Sequence, residues 1–482
     1  MILTDEQILE LIKQPAHEEI IERGRSICRE SIRHVKGIGV EDFFVDNDVK
    51  GYENDEEKLL RRKISRATTV PIFASALGTF DKAFSASGYS CYFEIDGDDK
   101  DKTKTKALKA YLNDDIGNGL NIAQWMQHMW GDKIHYDPNG VMMVELPKIE
   151  EGEITEGKKN KPYVIFKSIY DIHDFDSDGM KTEYLILKTD CHESEYKKQH
   201  KDNSVIYFRA IDQERDLIVR VEKGSGANGE ANYEGITILD TDEYPIIPNL
   251  WGYVPAIVIS GQRDACTEAH QTFIWEAIGT ADDYLLDSSI AGISKKKHGF
   301  PQKWTYPIPC KLCNGTGKLE SVGEMIEGVR LESTWYQCTK CTNGTIPTSP
   351  SIAVVKPMPD VNNPDIGEPF GYVTPDITSM EFQISELSRL EKTIHESIWT
   401  VIDAQQTSAV QDKTATASVL DVSAKQTKLN KFSSNGEKVE QFLTYTIGKA
   451  IYKESFRSSI VKWGRRYYVL SLNELEASFK AA

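Results

Sequence analysis

No apolar run in this 482-residue chain reaches the roughly 18 to 20 residues that a helix needs to cross a bilayer. Neither a membrane span nor a membrane partner is expected. The N-terminal stretch M-I-L-T-D-E-Q-I-L-E is acidic and has no long apolar centre, so it does not read as a signal peptide. Positive charge is in deficit: 57 lysines and arginines stand against 74 aspartates and glutamates, a formal net charge of −17. That excludes a generally basic surface that grips nucleic acid. It leaves room for a surface past which a polyanion slides with little adhesion. Catalytic signatures are missing as well. The chain has no G-x-x-x-x-G-K-[ST], no H-E-x-x-H, no G-x-S-x-G and no strand-linked G-x-G-x-x-G. Its ten histidines are dispersed without metal-ligand spacing, and no carboxylate pair is placed into a chemical role. The chain reads as a protein without enzymatic activity. No internal repeat is visible, and the length allows several domains.

Cysteine is sparse, but half of it is patterned. Of eight cysteines, Cys28, Cys91, Cys191 and Cys266 are scattered singles that read as small hydrophobes. The other four form two Cys-x-x-Cys pairs, Cys310 with Cys313 in C-K-L-C-N-G-T-G and Cys338 with Cys341 in C-T-K-C-T-N-G. Each pair sets two thiolates one metal bite apart, and two pairs complete a tetrahedral all-sulfur shell for a structural Zn2+. Gly315, Gly317 and Gly344 suit the tight turns this requires. Zinc would order a segment too poor in apolar side chains to form its own core. Disulfides and unrelated buried thiols are the alternatives. A redox role is disfavoured because no thioredoxin-like frame surrounds the pairs, and a shell of four protein ligands leaves no open catalytic position.

Along the chain, an α+β pattern precedes the cysteines and long helices follow them. Residues 4–35 read as two helices split at Pro15, the first opened by Thr4 and Gln7 as a capping box. Residues 36–56 read as an exposed loop. Residues 59–80 read as a helix kinked or broken at Pro71, with Arg61, Arg62, Lys63 and Arg66 forming a solvated basic face ahead of it. Ser90–Ile95 is a short strand, 103–130 is helical, and 133–146 is a hairpin turning at D-P-N-G. Strands follow at 163–172, 183–189, 205–211, 216–222 and 236–239, with a buried strand in W-G-Y-V-P-A-I-V-I-S at 251–260. Asp174, Asp176, Asp178 and Gly179 imitate the start of a calcium loop. Its twelfth position is Leu185 instead of glutamate, so an Asp/Gly turn is the better reading. Residues 264–291 carry a helical stripe through Phe273, Ile274, Ala277, Ile278, Ala281 and Leu285. After the cysteines and a proline-rich run, Thr378 and Glu381 open a helix striped by Met380, Ile384, Leu387, Ile394 and Ile398. A polar stretch at 403–416 leads to a long helix at about 417–455 with an expected kink at Gly436, and W-G-R-R-Y-Y-V-L-S-L closes the chain.

That order of elements resembles the portal proteins of tailed bacteriophages over about 60–460. The residues that carry the likeness are G-Y-V-P at 252–255, M-W-G-D-K-I-H-Y-D-P-N-G-V-M-M-V-E at 129–145, and the helix entry P-F-G-Y-V-T-P-D-I-T-S-M-E-F-Q-I-S-E-L. The resemblance implies a ring, usually a dodecamer, at one capsid vertex of the virion, assembled in the host cytoplasm. By that mapping 1–263 is an α/β wing, 264–292 and 376–402 are two stem helices, and 293–375 is a clip carrying the four-cysteine insert. The tunnel loop would be 403–416, the long kinked wing helix 417–455, and a small crown 456–482. Implied partners are further copies of the chain, the terminase large subunit, neck or adaptor proteins, and the major capsid and scaffold proteins. Double-stranded DNA would pass through the channel without sequence recognition. Gln405, Gln406 and Lys413 in the tunnel loop, and Lys425, Lys428 and Lys431 at three-residue spacing on the long helix, are candidate DNA-channel residues. A solvated helix face is the alternative for these lysines. Lys295, Lys296 and Lys297 are candidates for a basic stem ring.

Two other functions compete. The C-x-x-C-x-G-x-G form resembles the zinc modules of J-domain co-chaperones, which would make the chain a zinc-containing chaperone or scaffold that binds other proteins. The J-domain H-P-D is absent, and there is one module only. A metal-dependent nuclease would need a carboxylate cluster that the sequence does not reveal.

Overall fold

The computed structural model describes residues 1–46, 55–64, 66–146, 161–189, 205–225, 231–242, 244–298, 302–305, 309–321, 325–326, 329–330, 334–341, 344, 352–355, 370–373, 377–399, 415–465 and 467. They divide into two compact units. The first comprises Met1–Asn47, Arg66–Leu285 and Arg389–Ala482, and the second comprises Asp48–Ser65 and Leu286–Ser388.

The first unit opens with α1 (Asp5–Lys13), α2 (Glu18–Lys36) and α3 (Val40–Asp46). Thr4 caps α1 in a full capping box with Gln7. α3 occupies part of the expected 36–56 loop, which is a correction: Phe43 and Phe44 are buried there and hold the segment down. α4 (Asp55–Ile64) belongs to the second unit, and α5 (Val70–Phe80) to the first. Pro71 therefore does not kink a long helix; it lies in the first turn of a new one, where its missing N–H costs nothing. After α6 (Lys82–Ser85), β1 (Ser90–Ile95) matches its expected span. The 103–130 region is not one helix. α7 (Thr103–Leu112) stops, and a turn through Gly117 and Gly119 intervenes. α8 (Ile122–Trp125) then starts at an Asn121 capping box and runs through a π turn (Met126–Trp130) into α9 (Gly131–Lys133).

The expected 133–146 hairpin is absent. Only β2 (Val141–Glu145) is a strand. The D-P-N-G segment is drawn away because Asp137, buried, accepts from the Ser168 hydroxyl at 2.5 Å and from the Ile169 N–H at 3.2 Å. β2 pairs instead with β3 (Tyr163–Lys167). Next come β4 (Ile172–Asp178), β5 (Lys181–Thr189), β6 (Val205–Ile211), β7 (Arg215–Ser225), β8 (Ala231–Ile238), β9 (Ile247–Pro248) and β10 (Ala256–Val258). They form a nine-stranded sheet of order β3-β2-β10-β5-β6-β7-β8, with β4 on β5 and β9 on β7. The calcium-like D-F-D-S-D-G run is mostly strand β4. Asp174 is fully buried and accepts from the N–H groups of Ala16 and His17 and from the Tyr184 hydroxyl.

Residues 264–274 are not helical, contrary to the amphipathic pattern. Asp264 folds them into a turn by accepting from Cys266 N–H and the Thr267 hydroxyl, and the helix α10 (Ile278–His298) begins only after a short 3-10 turn. Asp282 on α10 pairs with Arg33 at 2.6 Å and with His34 at 2.9 Å, both on α2. The chain passes into the second unit within α10 and returns within α11 (Ile377–Trp399). The second unit holds β11 (Gln302–Thr305), β12 (Lys318–Ser321), β13 (Met325–Ile326), β14 (Val329–Arg330), β15 (Thr334–Gln337), β16 (Ile352–Val355) and β17 (Phe370–Val373). β11 lies between β16 and β17, β12 pairs with β15, and β13 with β14.

α12 (Ala415–Tyr452) is one continuous helix through Gly436. The glycine serves close packing there: a Cβ would stand 2.4 Å from the Trp463 ring. β18 (Phe456–Lys462) then pairs antiparallel with β1. Phe432 of α12 is the centre of the core, within 6 Å ring to ring of Phe80, Phe84, Trp130, His135 and Phe273. Helix propensity alone would make Gly436→Ala stabilising by about 1 kcal/mol. The Trp463 contact reverses the sign, and the variant is expected to lose about 1–2 kcal/mol in denaturant unfolding. A stabilised variant would contradict this packing.

His135 is buried, stacks on Phe432 with rings 5.6 Å apart, and leaves its Nδ1 without a protein partner. Burial pushes its pKa down to about 3. Because the folded-state value lies below the unfolded one, the stability from neutral His135 is complete above about pH 6.5 and is lost as pH falls. His135→Phe should flatten the acid limb of stability, narrowing the loss between pH 7 and pH 5 by about 2 kcal/mol. Parallel pH curves for the two proteins would refute the assignment.

Candidate metal centre

Each Cys-x-x-Cys pair lies on a tight knuckle. In the first, Gly315 N–H donates to Cys310 O at 3.1 Å and Thr316 N–H to Cys313 O at 3.0 Å. Gly315 and Gly317 have φ of 81° and 75°, a conformation that side-chain-bearing residues resist. The two knuckles are tied together by backbone: Cys310 N–H donates to Gly344 O at 2.8 Å and Cys338 N–H to Gly317 O at 2.9 Å. Any Cβ on Gly344 would fall 2.0 Å from Gly315 O, so glycine at 344 is what lets the knuckles meet. The β12–β15 ribbon joins them, with Lys318 opposite Gln337.

This brings all four sequence-predicted ligands to one point. The sulfurs of Cys310, Cys313, Cys338 and Cys341 lie within 4.8 Å of one another. Cys310 to Cys338 is 3.9 Å and Cys313 to Cys341 is 3.5 Å. A disulfide needs sulfurs about 2.05 Å apart, so neither cross-knuckle pair is bonded. Four sulfurs at about 2.3 Å from a central tetrahedral ion would be separated by about 3.8 Å, which the observed spacing matches. The residues thus fit a soft tetrahedral metal such as zinc. Three of the four cysteines are buried, with Leu319 packed beside them. Burial alone would raise a thiol, but Gly317 N–H, 3.3 Å from Cys313 Sγ, and the adjoining sulfurs bring Cys313 below the ordinary thiol value. Around the site, Leu312, Trp335 and Tyr336 are exposed.

The other candidates are not brought together. Gln405, Gln406 and Lys413 lie outside the described residues, as do the side chains of Lys296 and Lys297. Lys295, Lys425 and Lys431 are exposed. Lys428 differs from its neighbours: it is buried and pairs with Glu276 at 2.9 Å. Burial lowers its pKa, with Glu276 partly offsetting the effect. Lys428 therefore helps hold α12 to the segment before α10. Among the described residues the four cysteines are the one group of three or more His, Cys, Asp or Glu side chains placed to share a metal, and no helix is long and apolar enough to cross a membrane.

Sequence reasoning missed a charged bridge in the first unit. Arg209 on β6 binds Asp216 on β7 through Nε at 2.9 Å and Nη2 at 2.7 Å, and also reaches Glu145 on β2. The alternation of β6 and β7 places Arg209 and Asp216 on paired strands, but nothing in the sequence signals Glu145, 64 positions away.

Compared with known proteins, the chain matches no family model and no curated sequence.

Reduced, metal-free chain titrated with Co2+ should take up one ion and develop the visible bands of a tetrahedral tetrathiolate, displaced by Zn2+. Cys310→Ser should abolish that spectrum and open residues 309–344 to protease. An unchanged protease pattern, or no metal uptake, would remove the metal centre.

Proposed function

We propose that this chain is the portal protein of a tailed bacteriophage, a ring subunit through which DNA enters and leaves the capsid, with a structural Zn2+ on Cys310, Cys313, Cys338 and Cys341. The observation that carries the reading is the excursion of the chain. It leaves an α/β unit along α10, forms a second unit that holds the four cysteines, and returns along α11 to a 38-residue helix. In this reading the first unit is the wing, α10 and α11 are stem helices, and the cysteine-bearing unit is the clip that meets the terminase large subunit and later the neck or adaptor proteins.

The surface of α11 supports assembly. Its inner half buries Leu390, Ile394 and Ile398, while Phe382 and Ile384 near its start are 68% and 63% exposed. Large apolar side chains left open on a helix need a partner, and a closed ring supplies one through a repeated heterologous contact. The net charge of −17 suits a conduit that DNA slides through rather than adheres to. Lys425 and Lys431, exposed on α12, remain available for sequence-blind phosphate contact, and ATP hydrolysis would belong to the terminase. The exposed Trp335, Tyr336 and Leu312 beside the cysteines favour a second reading, a zinc-containing chaperone or scaffold whose ribbon binds other proteins.

Negative-stain electron microscopy of the purified chain separates the two. Rings with a central hole, about twelve subunits around, are expected for a portal. A compact monomer that persists at high concentration would overturn the portal reading in favour of the second.

A further inference from the structure

The nine-stranded sheet is nearly divided in two. β10 meets β5 at a single register pair, Ile257 with Lys181. Beyond that point side chains join the halves: Arg209 on β6 reaches across to Glu145 on β2. A cavity of about 520 Å3 lies here, lined by Glu145, Arg209 and Asp216 together with Tyr163, Trp251 and Leu250.

Two features of this cavity point to a ligand. The first is charge. Two carboxylates face one guanidinium, and no other lining residue is ionisable near neutral pH, so the lining itself carries one negative charge in excess, with Lys167, outside the lining, also acting on Glu145. Burial would raise Glu145, but Arg209 and the Tyr163 hydroxyl, 2.9 Å away, hold it below its ordinary value and ionised. Arg209 and Tyr163 give each carboxylate oxygen of Glu145 and Asp216 one hydrogen bond, which leaves acceptor capacity on each. The second is shape. Leu250 at the mouth is 77% exposed and Ile247 is 38% exposed. With Trp251 they make an apolar collar wider than a free amine would cover.

We propose that this cavity is a docking site for a lysine or arginine side chain presented on an extended, apolar-flanked segment of a partner protein. The cationic head offsets the excess charge at Glu145 and Asp216. Its aliphatic stem lies along Trp251, as long basic side chains do against apolar surface, and the flanking residues cover Leu250 and Ile247. The site lies wholly in the first unit and does not depend on the ring reading or on the metal.

The test uses the full chain and dye-labelled peptides in fluorescence anisotropy. The probes are acetyl-Leu-Pro-Arg-Leu-amide and its Arg-to-norleucine and Arg-to-Glu counterparts. The arginine peptide should bind saturably, at least tenfold tighter than either counterpart. Leu250→Lys, at an exposed position that leaves the fold intact, should weaken it at least tenfold by placing a cation at the mouth. Glu145→Gln keeps one acceptor oxygen for Arg209, turns its amide NH2 to the Tyr163 hydroxyl, which can accept, and should erase the preference for arginine over norleucine. The proposal is overturned if the arginine peptide shows no saturable binding up to about 1 mM, if norleucine binds as tightly, or if Leu250→Lys has no effect.

Discussion

The first unit depends on the burial of Phe432. This ring, on the long helix α12, is fully buried, and the aromatic residues packed on it come from α5, α6, the π turn and the segment before α10. Phe80 in turn stacks on Trp399 at the end of α11, with ring centroids 4.8 Å apart. Trp463, after β18, closes over Trp130 and Phe84. Segments more than 300 residues apart in sequence thus share one desolvated cluster. Aromatic side chains bury more area than any others and prefer tilted contacts, so the cluster fixes both the distance and the angle of the helices it joins. It also fixes where α10 leaves the unit and where α11 re-enters.

The second unit is held by a different kind of constraint. Around its cysteines the buried cluster holds Cys310, Cys313 and Cys338, with Leu319 and Cys341 only partly covered. Short ribbons such as β12–β15 and β13–β14 are marginal by themselves. A tetrahedral metal held by the four sulfurs would supply four bonds in place of the apolar core that the described residues here lack. With such a metal in place, Leu312, Trp335 and Tyr336 could stay on the surface, where they are exposed, free for other contacts.

The sequence made some elements legible because their signal was local. β1 and the four-cysteine gathering could be read directly, since alternation and ligand spacing are properties of neighbouring residues. The returning helix α11 was marked by its three- and four-residue apolar steps, although its outer half turned out exposed at Ile384. Two of the misreadings share one cause, a polar side chain that reorganised backbone from a distance. Asp137 removes the D-P-N-G segment from a hairpin by binding Ser168 and Ile169, and Asp174, itself buried, ties the calcium-like run into strand β4 by binding residues 16 and 17. Lys428 looked equivalent to Lys425 and Lys431, but only it faces Glu276. The bridge from Arg209 to Glu145 and the cavity beside it were not legible, because the partners come from strands that only the tertiary fold brings together.

The central claim is that one chain combines a metal-held module with a body that assembles into a ring. Native mass spectrometry of the purified protein under reducing conditions reads both quantities together. The account predicts a closed assembly of about twelve chains whose excess mass corresponds to one zinc ion per chain. A metal-free monomer at concentrations of tens of micromolar, from protein that is otherwise folded, would contradict it.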